Sequence, residues 1–151
     1  MYSSGGQYSL AIGSDGLFKG DYDIGTLPIG GGNGTGKFTY IVSPLDAIKA
    51  CAQSHGALVQ YITNNDAIAS GGTLSLAPIP LEVCIVFIRS WAGECDDRTT
   101  LVADWNSTFV VEQVAATCSN TVVVLCGASP NILTWADNPD ATAIIVTHLP
   151  G

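Results

Sequence analysis

Ser90-Trp91-Ala92-Gly93-Glu94-Cys95-Asp96-Asp97-Arg98 gathers three carboxylates, a tryptophan and an arginine in one short stretch. Such a set suits carbohydrate chemistry. An aromatic face packs on a sugar ring, carboxylates take its hydroxyls, and one carboxylic acid can protonate a leaving oxygen. In that chemistry Glu94 is the general acid or base, and Trp91, Asp96, Asp97 and Arg98 contact the substrate. Trp91 would lower the local dielectric, and Asp96 and Asp97 would add like charge, so the Glu94 carboxyl is expected to hold its proton more tightly than a free one. The competing reading is an acidic, solvated loop in which Asp97 pairs with Arg98; acids in loops after strands are common.

A second motif is Gly31-Gly32-Asn33-Gly34-Thr35-Gly36-Lys37. It fits the G-x-x-x-x-G-K of a phosphate-binding loop, but Phe38 stands where Ser or Thr would hold magnesium, and residues 38–42 read as extended chain rather than helix. A turned glycine loop near a site is the better reading, and no cofactor is expected. The five cysteines, Cys51, Cys84, Cys95, Cys118 and Cys126, include no C-x-x-C pair, so no metal site is expected. An odd number leaves at least one thiol unpaired within a monomer. Asn33-Gly34-Thr35 and Asn106-Ser107-Thr108 are sequons, acceptors only in a chain that enters the secretory pathway.

The elements that must position these residues follow from pattern. Residues 8–12 read as a strand that ends in the turn at Gly13, and a glycine-rich loop spans residues 16–36. Ser43-Pro44 opens a helix to about His55, stopped by Gly56: Ser43 caps, Pro44 suits the first position, and Asp46 favours the dipole. Residues 57–62 read as a second strand, and residues 64–80 as loop with a short helix at 66–70. Residues 81–89 form a nearly continuous apolar run, the mark of a strand buried on both faces of a parallel sheet. A helix capped by Ser107 runs to about Thr117, a strand follows at 121–126, a short helix at 131–136, and a last strand at 141–148. Together these predict one α/β domain over residues 1–151: a three-layer sandwich with a mostly parallel, flavodoxin-like sheet flanked by helices. In such sheets sites lie beyond the carboxyl ends of the strands, which is where Glu94 falls. Cys84, early in a strand, and Cys118, at the end of the helix running back along it, are expected to meet as a disulfide in an oxidising compartment.

Composition narrows the partners. Lys and Arg number 5 against 13 Asp and Glu, a net charge of -8, with 47% hydrophobic and 12% charged residues. That excludes disorder and leaves no basic stripe for nucleic acid or an anionic membrane. No apolar run approaches the ~20 residues of a membrane helix. The start Met1-Tyr2-Ser3-Ser4-Gly5-Gly6 lacks the features of a signal peptide, so either the protein stays inside the cell, cytoplasmic as it stands, or the chain was cut from a longer secreted one.

Several stretches, taken in order, resemble fungal β-glucosidases of glycoside hydrolase family 3. They are Glu82-Val83-Cys84-Ile85-Val86-Phe87-Ile88, Gly93-Glu94, Asp97-Arg98-Thr99-Thr100-Leu101, Asn120-Thr121-Val122-Val123-Val124-Leu125, Trp135-Ala136-Asp137-Asn138-Pro139 and His148-Leu149-Pro150-Gly151. Upstream, Gly25-Thr26-Leu27, Gly30-Gly31-Gly32-Asn33-Gly34-Thr35, Tyr40 and Ser43-Pro44-Leu45-Asp46-Ala47-Ile48 look like the opening of the same domain. The resemblance implies the α/β sandwich domain of such an enzyme, with Glu94 on the acid/base position. The nucleophilic Asp of the family lies in a separate (β/α)8 barrel. Asp104-Trp105 has the look of the nucleophile motif but sits in the wrong domain, so the similarity is taken as coincidence. Cys95 stands where the family has Gly, and the family domain continues beyond Gly151, which makes this a truncated version whose members are often secreted. The implied function is a β-glucosidase-like domain not competent alone. The alternatives are a small enzyme using Glu94 on a non-sugar substrate, and a carbohydrate-binding or interaction module. The expected partners are a small-molecule or carbohydrate ligand, a barrel domain, or a second copy paired through an uncovered last strand.

Overall fold

The structure, a computed structural model, describes residues 2–3, 27, 40, 42–72, 81–93, 97–127 and 129–149. The strand expected over residues 8–12 and the phosphate-loop-like motif lie outside them, as do Glu94, Cys95 and Asp96.

Among the described residues, four parallel strands form one sheet in the order β1-β2-β3-β4: β1 (Tyr2–Ser3), β2 (Cys84–Ser90), β3 (Thr121–Gly127) and β4 (Ala141–His148). β2 and β3 run in unbroken register from Cys84↔Thr121 to Ser90↔Gly127. Their side chains alternate between two buried clusters, as the period of two requires. Cys84, Val86, Ile88, Val123 and Leu125 face one side, against Ile68 of α2 (Asn65–Ala69) and Val110, Val111 and Val114 of α3 (Ser107–Ala115). Phe87, Val124 and Cys126 face the other, with Ile48 of α1 (Pro44–Ser54) packed on them. Helices on both faces make the three layers and explain why these strands are continuously apolar: neither face meets water.

α1 begins and ends as its sequence dictates. Ser43 is extended and its Oγ accepts the Asp46 amide at 3.1 Å, with Pro44 next in the first turn. Gly56, past the end, takes φ +68°, which costs glycine nothing. Residues 57–61 are not the expected strand. Ala57 N donates back to Ala52 O at 2.9 Å and Leu58 is 80% exposed, while β1 occupies the edge of β2. Only Ile62 of that run packs on the core. At α3 the cap is Asn106 rather than Ser107, whose hydroxyl instead donates to Asp104 O as the first helical residue. α3 closes at Ala115, two residues short of Thr117, which is held by a turn bond to Val114 O. Residues 134–137 are turns tied by Ala136 N to Leu133 O and Asn138 N to Trp135 O, not a helix.

Cys84 and Cys118 form a disulfide with Cα atoms 6.3 Å apart, joining the start of β2 to the exit of α3. Cys51 is free and exposed; Cys126 is free and buried, and burial pushes its thiol pKa up, partly offset by the Thr147 hydroxyl. β4 differs from its neighbours: Ile144, Ile145 and Val146 are 38%, 49% and 48% exposed.

Candidate functional site at the carboxyl ends of β2 and β3

β2 delivers the chain to the site as a rigid stem, because Ile88, Arg89 and Ser90 are all fully buried. Ser90 lies beside Gly127 of β3, where an added Cβ would collide with the Ser90 side chain and carbonyl; only glycine lets the two strand ends approach this closely.

The loop leaving β2 is pinned where it departs and where it returns. Asp104 N donates to Arg89 O at 2.9 Å, and Asp104 Oδ2 accepts the Trp91 amide at 2.7 Å. Trp91 is half-buried. On the far limb the Arg98 guanidinium donates to Ser129 Oγ at 2.7 Å and, at 3.0 Å each, to Pro130 O, Val102 O and Asn131 Oδ1. Ile132 N adds a bond to Leu101 O at 2.9 Å. The loops after β2 and β3 are therefore laced together, with fixed residues on either side of Glu94 and Asp96 in the chain. Asp97 is exposed at the edge of that segment.

Of the residues singled out from sequence, Trp91, Asp97 and Arg98 are thus placed on this one loop, and Glu94 and Asp96 fall between them in the chain. Arg98 carries four hydrogen bonds to protein groups, which is the behaviour of a loop clamp. Arg98→Met, similar in length but without donors, is expected to cost about 2 kcal/mol, since several partly buried acceptors lose a charged donor. Arg98→Lys should recover less than half, because an ammonium cannot span the same fork. Urea denaturation with an unchanged slope checks both.

Several participants were not among the expected site residues. Arg89 is 1% exposed and its guanidinium stands 5.8 Å from the Trp105 ring centroid. Its only signal is a cation closing an otherwise apolar strand. Trp105 and Asn106 have φ 61° and 59°, and Asn65 Nδ2 holds the Trp105 carbonyl at 2.7 Å. Asp104, the residue resembling a nucleophile, spends its carboxylate on a backbone amide. An open groove of about 630 Å³ runs beside this corner, lined by residues 100 and 102–109. Among the described residues no three of His, Cys, Asp and Glu cluster so as to hold a metal ion.

The profile of the Glycosyl hydrolase family 3 C-terminal domain matches residues 10–151. "Probable beta-glucosidase G" of Aspergillus flavus and that of Aspergillus oryzae are each 46% identical over 134 residues, 88% of this chain and 16% of theirs. Among solved structures, a glycoside hydrolase family 3 beta-glucosidase from Neurospora crassa superposes with TM-score 0.71 at 37% identity, covering 83% of this chain and 16% of that one. A Chaetomium thermophilum beta-glucosidase gives 0.75 at 30% identity, over 84% and 16%. The chain spans about one sixth of the length of these relatives. On the matched profile and these identities, the chain belongs to the glycosyl hydrolase family 3 C-terminal domain family.

Proposed function

We propose that this chain is the sandwich domain of a family 3 β-glucosidase and supplies Glu94 as the acid/base to a site whose nucleophile comes from a separate domain. The observation that carries the reading is the loop after β2, anchored at Trp91 by Asp104 and at Arg98 by the loop after β3. A proton donor must be held within a fraction of an ångström of its target, and anchored residues on both sides of Glu94 in the chain support that role. The resemblance of Gly93-Glu94 and Asp97-Arg98 to the family's stretches supports Glu94 as the donor.

In this role Glu94 gives its proton to the glycosidic oxygen as the partner carboxylate attacks the sugar, then takes a proton from the water that releases it. A retaining pair stands ~5–5.5 Å apart. In this reading Trp91 and Asp97 contact the sugar, and Arg98 positions the loop through its bonds to the loop after β3. With one of the two carboxyls present, the isolated chain is expected to leave aryl β-glucosides unhydrolysed. Exchanging the matched segment of the Aspergillus oryzae relative for this chain's tests the reading. Hydrolysis within about tenfold of the parent, once the chimera is shown to melt cooperatively, supports it; a folded chimera at background rate refutes it.

A second reading, an interaction module, is favoured by the exposed Ile144, Ile145 and Val146 of β4. Among the described residues β4 is an edge strand, and it carries no Asp, Glu, Lys or Arg, which makes it a template for pairing with another copy. On that reading the chain is a dimer in light scattering and Ile145→Lys makes it a monomer; a monomeric parent at high micromolar concentration contradicts it.

A further inference from the structure

We propose that Asn106 is an N-glycan acceptor and that the first sugar of its glycan lies in the groove against Trp105 and Phe109. Asn106-Ser107-Thr108 is a complete acceptor sequence, but sequence alone does not say whether the asparagine is presented. The fold presents it. Asn106 is exposed, it stands in the left-handed region at the mouth of α3, and its side chain makes no capping hydrogen bond although it occupies the capping position. An asparagine there normally spends its amide oxygen on the helix amides. Here the side chain leaves the helix end open and points no bond inward.

The neighbouring backbone is fixed from both sides. Asn65 Nδ2 holds the Trp105 carbonyl at 2.7 Å and the buried Arg89 stacks under the Trp105 ring. That leaves Trp105 47% and Phe109 57% exposed, two large apolar rings on a surface that gains nothing from wetting them. Asn106 lies between them in the wall of the same groove of about 630 Å³. A pyranose tethered to Asn106 brings its axial C–H face onto such rings and its hydroxyls to water. The Cys84–Cys118 disulfide supplies an independent pointer, because a stable bridge of this kind belongs to the oxidising compartment in which N-glycans are added.

The step balances without an external oxidant. Asn106 Nδ2 bonds to the anomeric carbon of the sugar, and the bond from that carbon to the phosphate of a polyprenyl-diphosphate-linked oligosaccharide breaks. The diphosphate leaves with the electron pair, and the amide proton passes to a base of the transferase.

Secretion from a eukaryotic host, followed by peptide mapping after peptide-N-glycosidase F in heavy-oxygen water, reads the outcome. Asn106 is expected as isotopically marked aspartate in most molecules. Thr108→Ser should keep the modification and Thr108→Ala should abolish it. Unmodified Asn106 in molecules whose Cys84–Cys118 bridge has formed overturns the assignment, because the bridge shows that the chain passed through the right compartment. For the groove, glycan trimmed to its first sugar should preserve the melting temperature, whereas complete removal should lower it by about 2–4 °C. Equal melting with and without the first sugar overturns that placement, and an equal drop in a Trp105→Ala background does so as well.

Discussion

Replacing Cys84 and Cys118 together by alanine is expected to cost about 4 kcal/mol. The two residues are 34 apart in sequence, so the bridge removes the freedom of a long unfolded loop that contains all of β2 and α3. In the chain-entropy account the stabilisation grows with the logarithm of that length. The bridge also ties the strand that carries the site loop to the helix that covers it, and both cysteines are buried, at 1% and 3% exposure. Against a typical total stability of about 5–15 kcal/mol, a loss of this size leaves a marginal domain. Urea denaturation should show the midpoint fall by about 2 M for a slope near 2 kcal/mol/M. The wild type under reducing conditions should behave like the double variant. A loss below about 1 kcal/mol would mean that the unfolded chain is already held compact by other contacts.

Local chemistry explains which parts of the fold were legible. Ser43, Pro44, Asp46 and Gly56 specify both ends of α1 through contacts within a few residues, and α1 appears within one residue of where they put it. β2 and β3 were legible because burial on both faces leaves an uninterrupted apolar signature. The meeting of Cys84 with Cys118 followed from placing one at a strand's start and the other at the end of the returning helix. Residues 57–62 were not legible. The apolar run Ala57-Leu58-Val59 looks like a strand, but a strand needs a neighbour, and which segment takes the edge of β2 is decided by long-range pairing. The cap of α3 was missed by one residue because Asn106 adopts a left-handed conformation that nothing in its own sequence demands.

The site divides in the same way. Its position beyond the carboxyl ends of the strands follows from the parallel sheet. Arg98 was legible as a member of the loop but not as its clamp, since Ser129, Pro130 and Asn131 come from a loop about 30 residues later. Asp104 carries the opposite lesson. Its type and its Trp105 neighbour suggest chemistry, whereas its carboxylate fastens the Trp91 amide and its own amide fastens the end of β2.

The central claim is that Glu94 moves the proton, and one substitution tests it most directly. In the domain-exchanged β-glucosidase, Glu94→Gln keeps the shape of the side chain and removes its acidity. Loss of general acid–base assistance is expected to lower kcat by about 10²–10⁴-fold on substrates with poor leaving groups. A substrate whose leaving group needs no proton should lose far less in the first step, and its rate should recover when azide replaces water as the acceptor, because azide attacks without a general base. That paired result, a large loss on an alkyl glucoside and azide rescue on an activated aryl glucoside, is the one predicted. Undiminished hydrolysis of the alkyl glucoside by the Glu94→Gln chimera would contradict the assignment and move the acid/base to another residue.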